Sequence, residues 1–293
     1  MFIATLIASD RLSAGDISAA LDRLEAAGCA PSVHGWIDAD KAADIFFGAA
    51  PDAARAALEG ALGGIDVVVQ AVAGREKKLL IADMDSTMIT VECIDELADY
   101  AGIKPQIAAI TEAAMRGELD FEGALDARVA LLAGLEEAVI ERCLAERVKI
   151  MAGAEVLIRT MRARGATAIL VSGGFTRFAE PVAAQIGFHR AIANRLEIAD
   201  GMLSGTVAKP IVGSDTKLQT LLAASAELGL LPEETLAVGD GANDLAMIKA
   251  AGLGVAYHAK PIVAAAAAAR IDHGDLSALL YAQGIPRAEW VLG

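Results

Sequence analysis

Leu79-Leu80-Ile81-Ala82-Asp83-Met84-Asp85-Ser86-Thr87 is the stretch on which the reading of this chain turns. Four apolar residues run into two carboxylates spaced two apart, and then into two hydroxyls. A short continuous apolar run predicts a strand buried on both faces, as in a parallel sheet. Ligands of such sheets bind just beyond the carboxyl ends of the strands. Alternation along an extended chain turns Asp83 and Asp85 to one side together. Adjacent carboxylates repel, so one resists ionisation unless a cation lies between them. The same pattern also fits a strand that ends in a solvated turn, and the rest of the chain has to separate the two readings.

Downstream, from Ala154, strand and helix patterns alternate. Helices are predicted over 155–164, 176–186 (with Pro181 inside it as a kink), 214–228, 245–251 and 262–269. Strands are predicted over 168–171, 235–238 and 254–257, and an extended stretch 190–198 turns at Gly201 into a hairpin partner at 202–207. Such alternation means βαβ units and a parallel sheet with helices on both faces. Nearer the opening stretch, apolar residues recur at three- and four-residue spacing over 92–101, 104–116, 120–132 and 136–147, with Gly102, Gly117 and Gly134 at their ends. That is the pattern of a helical insertion.

Upstream, residues 1–74 read as strand 2–8, helix 15–27, strands 32–37 and 43–47, a helix at 51–62 opened by Pro51, and a Val-rich strand at 65–71. Proline is at home in a first helical turn, and the βαββαβ order suggests a ferredoxin-like sandwich. Gly74-Arg75-Glu76-Lys77-Lys78 is a polar hinge and a domain boundary. The expected architecture is α/β: a parallel-sheet, Rossmann-like core over 78–91 and 152–293, a small helical cap at 92–151, and an N-terminal α+β unit at 1–74.

Bulk properties narrow the function. At 293 residues the chain is long enough for two domains and a large core. Its 55% hydrophobic content owes much to alanine, and no apolar run approaches the roughly 20 residues of a membrane span. Met1-Phe2-Ile3-Ala4-Thr5-Leu6 lacks the basic lead-in of a signal peptide. Cys29, Cys93 and Cys143 are odd in number and without CxxC spacing, so neither a disulfide frame nor a zinc site is expected and a reducing cytoplasm fits. A net charge of −14 argues against nucleic acid, which needs a basic face. It also requires an anionic substrate to be drawn in by local cations against the overall field.

Asp83 with Asp85, Ser172, Lys217 and Asp240 each fall at or near the end of a predicted strand, and such ends converge on one crevice. A carboxylate pair, a hydroxyl, a lysine and a further acidic loop suit phosphoryl transfer. Carboxylates there bind Mg²⁺ through one or two oxygens and leave room for water and phosphate; lysine and N–H groups at a helix start neutralise phosphate oxygens. Each element has a plainer reading. Ser172-Gly173-Gly174 fits a turn, Lys217 a solvated helix lysine with Lys209 as rival for its role, and Gly239-Asp240-Gly241 a left-handed turn. The third glycine of a dinucleotide fingerprint and the lysine motif of a P-loop are both missing.

Taken together, Asp83-Met84-Asp85-Ser86-Thr87, Val171-Ser172-Gly173-Gly174, Lys217 and Gly239-Asp240-Gly241-Ala242-Asn243-Asp244 resemble the four motifs of the haloacid-dehalogenase-like phosphatases, over residues 78–293. Glu92 in Thr90-Val91-Glu92-Cys93-Ile94-Asp95-Glu96, the segment Met115-Arg116-Gly117-Glu118-Leu119-Asp120-Phe121, and Arg128-Val129 are similar to the cap signatures of the phosphoserine phosphatases within that superfamily. The resemblance implies Mg²⁺-dependent hydrolysis of O-phospho-L-serine, the last step of serine biosynthesis, through an aspartyl-phosphate. It implies Asp83 as nucleophile, Asp85 as acid and then base, and metal ligation by Asp83, Asp240 and Asp85, the last through its backbone carbonyl. Ser172, the Gly173 N–H, Lys217 and Asn243 would hold the phosphoryl group, and Asp244 would orient Lys217 or a metal-bound water. Glu92 would take the substrate ammonium and Arg128 its carboxylate; alone, an arginine there more commonly forms a surface salt bridge, with Glu122 or Glu136, and family position reverses that preference. Met115 and Phe121 would wall out water, or Phe121 would be cap core.

By element order and the Gly15-Asp16 turn, residues 1–74 resemble the amino-acid-binding ACT modules; a homodimer through this unit is compatible with that. The partner expected is a small molecule, not a membrane or nucleic acid. Two other functions stay open: a phosphotransferase passing the phosphoryl group to an acceptor such as homoserine, and a serine-sensing regulatory protein acting through residues 1–74.

Overall fold

The apolar stretches of residues 1–74 form a sheet of their own. In the computed structural model, which describes residues 1–115 and 118–292, β1 (Phe2–Ala8), β2 (Pro31–Asp38), β3 (Ala42–Phe47) and β4 (Ile65–Ala71) alternate with helices Ala14–Ala26 and Pro51–Leu58 as βαββαβ. Their order in the sheet is β2-β3-β1-β4, and every pairing is antiparallel. Side chains alternate across it. Leu6, Ile45 and Val67 pack with Leu24 and Leu58 of the two helices. Ile7, Ala42 and Val68, on the other face, join the apolar cluster of the larger sheet, with Ile271, Leu276 and Leu280.

Polar brackets reinforce that seam. The Arg75 guanidinium binds Asp44 through Nη1 and Nη2, both at 2.7 Å. It also donates to Thr5 Oγ1 at 3.0 Å and to the Ala282 carbonyl at 3.0 Å. Asp66 accepts the backbone N–H groups of Asp272 at 2.8 Å and Gly274 at 2.7 Å. The polar segment 74–78 is therefore tied down: Lys77 is 3% exposed and donates to the carbonyls of Gly74 and Glu233, both at 2.7 Å.

The larger sheet comprises β5 (Leu79–Ala82), β6 (Thr167–Phe175), β7 (Arg190–Asn194), β10 (Thr235–Gly239), β11 (Leu253–Tyr257) and β12 (Ala269–Ile271), all parallel. Between β7 and β10 the chain forms the antiparallel hairpin of β8 (Leu196–Ala199) and β9 (Met202–Val207). The sheet order is β12-β11-β10-β5-β6-β7. All four β5 side chains are buried, Leu80 and Ala82 into one layer and Leu79 and Ile81 into the other. The chain leaves β5 toward β6 on one side and reaches β10 on the other. A crevice therefore opens at the C-terminal end of β5, where strand order reverses.

Several predicted segments differ from what forms: the helix expected over 51–62 ends at Leu58, and two others are divided or cut short. The stretch 190–198 is divided: Arg190–Asn194 continues the parallel sheet and only Leu196–Ala199 pairs in the hairpin. The predicted helix 262–269 ends at Ala266; Ala267 is extended (φ −76°, ψ 154°) and Ala269 opens β12. Alanine is small and apolar in either state, so a run of it carries no period that separates helix from strand.

Residues 92–151 form helices Cys93–Tyr100, Lys104–Met115, Phe121–Ala130 and Ala138–Glu146, close to the predicted limits. Gly117, predicted to end the second, lies outside the described residues. This cap hydrogen-bonds to the β8–β9 hairpin: Gly134 N–H to the Leu203 carbonyl, Leu203 N–H to Leu135 and Glu137 N–H to Gly201, all at 2.9 Å. No helix among the described residues is long and apolar enough to cross a membrane.

Candidate active site

Asp83 follows β5 directly and its N–H donates to the Val238 carbonyl of β10 at 3.0 Å. Asp85 lies beyond the strand, so its position is set by a turn and not by the pleat. The Met84 carbonyl accepts from Thr87, Met88 and Ile89 at 2.8–3.2 Å, with Ser86 left-handed at φ 56°. The two carboxylates consequently diverge. Asp83 Oδ1 meets Lys217 Nζ at 2.5 Å. Asp85 Oδ1 accepts Cys93 N–H, at the start of the first cap helix, at 2.9 Å, and Oδ2 accepts Ser172 Oγ at 3.3 Å.

Lys217 sits in the first turn of the helix Ser214–Leu228 and is fully buried. Its second partner is Asp244 Oδ1 at 2.6 Å, and Asp244 Oδ2 accepts Gly241 N–H at 3.0 Å. A Cβ on Gly239 would lie 2.4 Å from the Asp244 carboxyl carbon, so only glycine fits there. Lys209, the rival cation, is half-exposed and pairs instead with Asp126 of the cap at 2.7 Å. Asp240 Oδ1 accepts from Thr87 Oγ1 at 3.2 Å. Thr87 thus closes the loop between the two acidic motifs, a role its place in the sequence does not announce.

Charge in the crevice is unbalanced. Asp83, Asp85, Asp240 and Asp244 gather here, while the one cation at hydrogen-bond range of any of them among the described residues is the Lys217 ammonium, bonded to Asp83 and Asp244. Burial and the Asp244 carboxylate hold Asp83 well above the usual carboxylate range. Burial, then the charge of Glu92, pushes Asp85 up to about 6; burial, then Asp244, does the same to Asp240, also to about 6. Burial alone would lower Lys217, but its two carboxylates outweigh it and hold the ammonium well above its ordinary value. Asp83, Asp240 and Asp244 each offer a carboxylate oxygen within 4.8 Å of the others. An all-oxygen set with surplus negative charge is compatible with a divalent metal ion. Asp85's carboxylate is not in that group, which leaves its backbone carbonyl as the ligand the family resemblance implies.

Ser172 does not end a strand in a simple turn. β6 runs through it to Phe175, with a register shift against β7 between Val171 and Phe175. Ser172 Oγ accepts Gly174 N–H at 2.8 Å. Phe121 reaches from the cap to this loop and is 38% exposed, so it is not cap core. A Cβ on Gly173 or Gly213 would come within 3.1 Å of its ring. The side chain of Met115 lies outside the described residues.

On the cap side, Glu92 is exposed and accepts Ser86 Oγ at 2.7 Å. Arg128 is half-buried and donates Nε to the Ala124 carbonyl at 3.1 Å. Neither Glu122 nor Glu136 forms an ion pair with it among the described residues; Asp95 and Glu92 are the carboxylates whose charge it feels. Asn243 lies in the short 3₁₀ turn Ala242–Asp244, half-buried beside Gly241, without a hydrogen bond to the acidic group among the described residues. Asn194, which the sequence reading passed over, bonds to both Gly173 and Val212. A polar residue closing an apolar strand is its only signal in the sequence.

The model of the haloacid dehalogenase-like hydrolase family matches residues 80–249. Phosphoserine phosphatase SerB2 of Mycobacterium tuberculosis is 46% identical over 77% of this chain, and the chain spans 55% of that protein's length. A haloacid dehalogenase family hydrolase of Salmonella enterica serovar Typhi superposes with a TM-score of 0.82 at 29% identity, covering 96% of this chain and 98% of its own. A phospho-aspartyl intermediate analogue of phosphoserine phosphatase gives 0.65 at 39% identity, over 70% of this chain and 98% of its own. The chain belongs to the haloacid dehalogenase-like hydrolase family, among its phosphoserine phosphatase relatives.

Proposed function

We propose that this protein hydrolyses O-phospho-L-serine to L-serine and phosphate through an aspartyl-phosphate on Asp83. The observation that carries the reading is the division of labour between two buried carboxylates: Asp83 faces Lys217, while Asp85 faces Ser172 and is pushed up to about 6. An acid with that pKa gives and takes protons near neutrality. Its relatives' names, and the phospho-aspartyl form of one, support the same assignment.

An Asp83 oxygen attacks phosphorus and the bond to the serine oxygen breaks, that oxygen taking the Asp85 proton. A water then attacks the phosphorus of the aspartyl-phosphate, Asp85 takes a proton from it, and the Asp83–phosphorus bond breaks to release phosphate. Lys217, Ser172 Oγ, the Gly173 N–H and Asn243 hold the phosphoryl oxygens, and Asp244 fixes Lys217. Glu92 takes the substrate ammonium and Arg128 its carboxylate, while Phe121 keeps water from the crevice. Asp83, Asp240 and the Asp85 carbonyl would hold Mg²⁺. When bound, this ion supplies the positive charge that keeps Asp83 ionised and screens the incoming anion.

The proposal extends to organisation. Residues 78–91 with 152–293 act as the core, 92–151 as the cap, and 1–74 as an ACT-like unit through which a homodimer could form. Three free, buried cysteines support a cytoplasmic setting. The test is phosphate release from phosphoserine, phosphothreonine and sugar phosphates, with and without Mg²⁺. Phosphoserine should lead and chelation should abolish release; equal turnover of all esters, or release that persists in chelator, would refute substrate or metal respectively.

A further inference from the structure

We propose that Asn194 is the positioning residue of the phosphoryl pocket, an assignment that rests on the phosphoserine reading above. β6 and β7 pair as Val171 with Ile192 and resume as Phe175 with Asn194. Four residue steps on β6 thus face two on β7, and the surplus carries Ser172, Gly173 and Gly174 out of the ladder. A bulge re-aims side chains at the cost of their ladder partners, and the freed backbone groups need other partners.

Asn194 supplies them. It is 1% exposed; its Nδ2 donates to the Gly173 carbonyl at 2.8 Å and the Val212 carbonyl at 3.1 Å, and its Oδ1 accepts Val212 N–H at 2.7 Å. The peptide between Gly173 and Gly174 is held at both ends, because the Gly174 N–H donates to Ser172 Oγ at 2.8 Å. The hydroxyl proton in turn goes to Asp85 Oδ2 at 3.3 Å. On the other side, Val212 precedes Gly213, whose carbonyl accepts the Lys217 N–H at 3.1 Å. One carboxamide therefore sets the spacing between the loop bearing Ser172 and the helix bearing Lys217. That spacing is also the slot that admits the Phe121 ring between Gly173 and Gly213. Only a side chain with donors and an acceptor in one plane meets all three groups.

The test compares wild type with Asn194→Ala and Asn194→Asp in the full chain. The aspartate keeps the shape and the acceptor for Val212 N–H but sets an oxygen against two carbonyls. Measured are kcat and KM for phosphoserine, inhibition by inorganic phosphate and by L-serine, and the thermal unfolding midpoint. Misplacing a reacting group by about 1 Å can cost on the order of 100-fold in rate, so kcat should fall between about 10- and 100-fold. The inhibition constant for phosphate should rise with it, while that for L-serine, held at Glu92 and Arg128, should stay within about twofold. Equal weakening of both inhibitors, unchanged phosphate affinity, or failure of both variants to fold would overturn the proposal. If wild type does not hydrolyse phosphoserine, the underlying reading fails, and calorimetric binding of inorganic phosphate to the three proteins still decides the role of Asn194.

Discussion

Lys217 and Arg128 are both cations on helices bordering the crevice, and the structure treats them oppositely. Lys217 is fully buried and saturated by Asp83 and Asp244 at 2.5 and 2.6 Å. Arg128 is half-buried, donates Nε to the carbonyl one turn back, and meets no carboxylate within 4.0 Å among the described residues. The first arrangement is fixed in advance for charge that develops in the reaction. The second keeps donors available for a ligand, the arrangement expected of recognition. On the proposed function, the crevice pairs a rigid chemical end with an unsaturated binding end, the first at the strand ends and the second on the cap.

The sharpest way to break this contrast is Asp83→Asn. It should lower kcat by at least about 10⁴-fold, roughly 5 kcal/mol of barrier, with the unfolding transition retained; near-normal turnover would remove the nucleophile from the rigid end. Lys217→Met should lower stability by about 3–5 kcal/mol by leaving two buried carboxylates unpaired, seen as an earlier urea midpoint. A midpoint like that of wild type would mean the ammonium is not the keystone its burial suggests.

Metal and pH give a smaller, linked effect. Asp85 and Asp240 titrate near 6 folded, against 3.8 for a free carboxyl. The folded state then binds more protons than the unfolded one between about pH 4 and 6, so metal-free stability falls as pH rises through that window. Mg²⁺ should raise the melting temperature more at pH 7 than at pH 5, where protons already occupy these groups, by about 2 °C for each kcal/mol gained in a chain of this length. An equal shift at both pH values would count against the acidic group as the metal site. Arg128→Lys, the mildest change, should raise KM for phosphoserine about tenfold with kcat nearly kept, since a point charge replaces a fork. A fall in kcat instead would move Arg128 to the chemical end.

Much of the chemical end was legible in advance because strand ends, short motifs and parallel-sheet topology constrain each other. Asp83, Lys217 and Asp240 meet as their positions in the alternating pattern imply. What escaped was set by tertiary geometry. Asp85 is aimed by a turn with Ser86 left-handed, which strand alternation cannot foresee. Asn194 acts only because Ser172, Gly173 and Gly174 leave the ladder of the neighbouring strand. The Ala-rich segment past Pro261 hid a strand because its side chains have no period to read.

The shared apolar seam beneath β1 and β4 has a mechanical consequence. Arg75 clamps the N-terminal sheet to the carbonyls of Tyr281 and Ala282, and Asp66 grips the turn that follows β12. Displacing that sheet would drag β12 and the helix Ala278–Ala282 along as one stiff block, so a push on the first 74 residues would act as torque on the outer edge of the larger sheet.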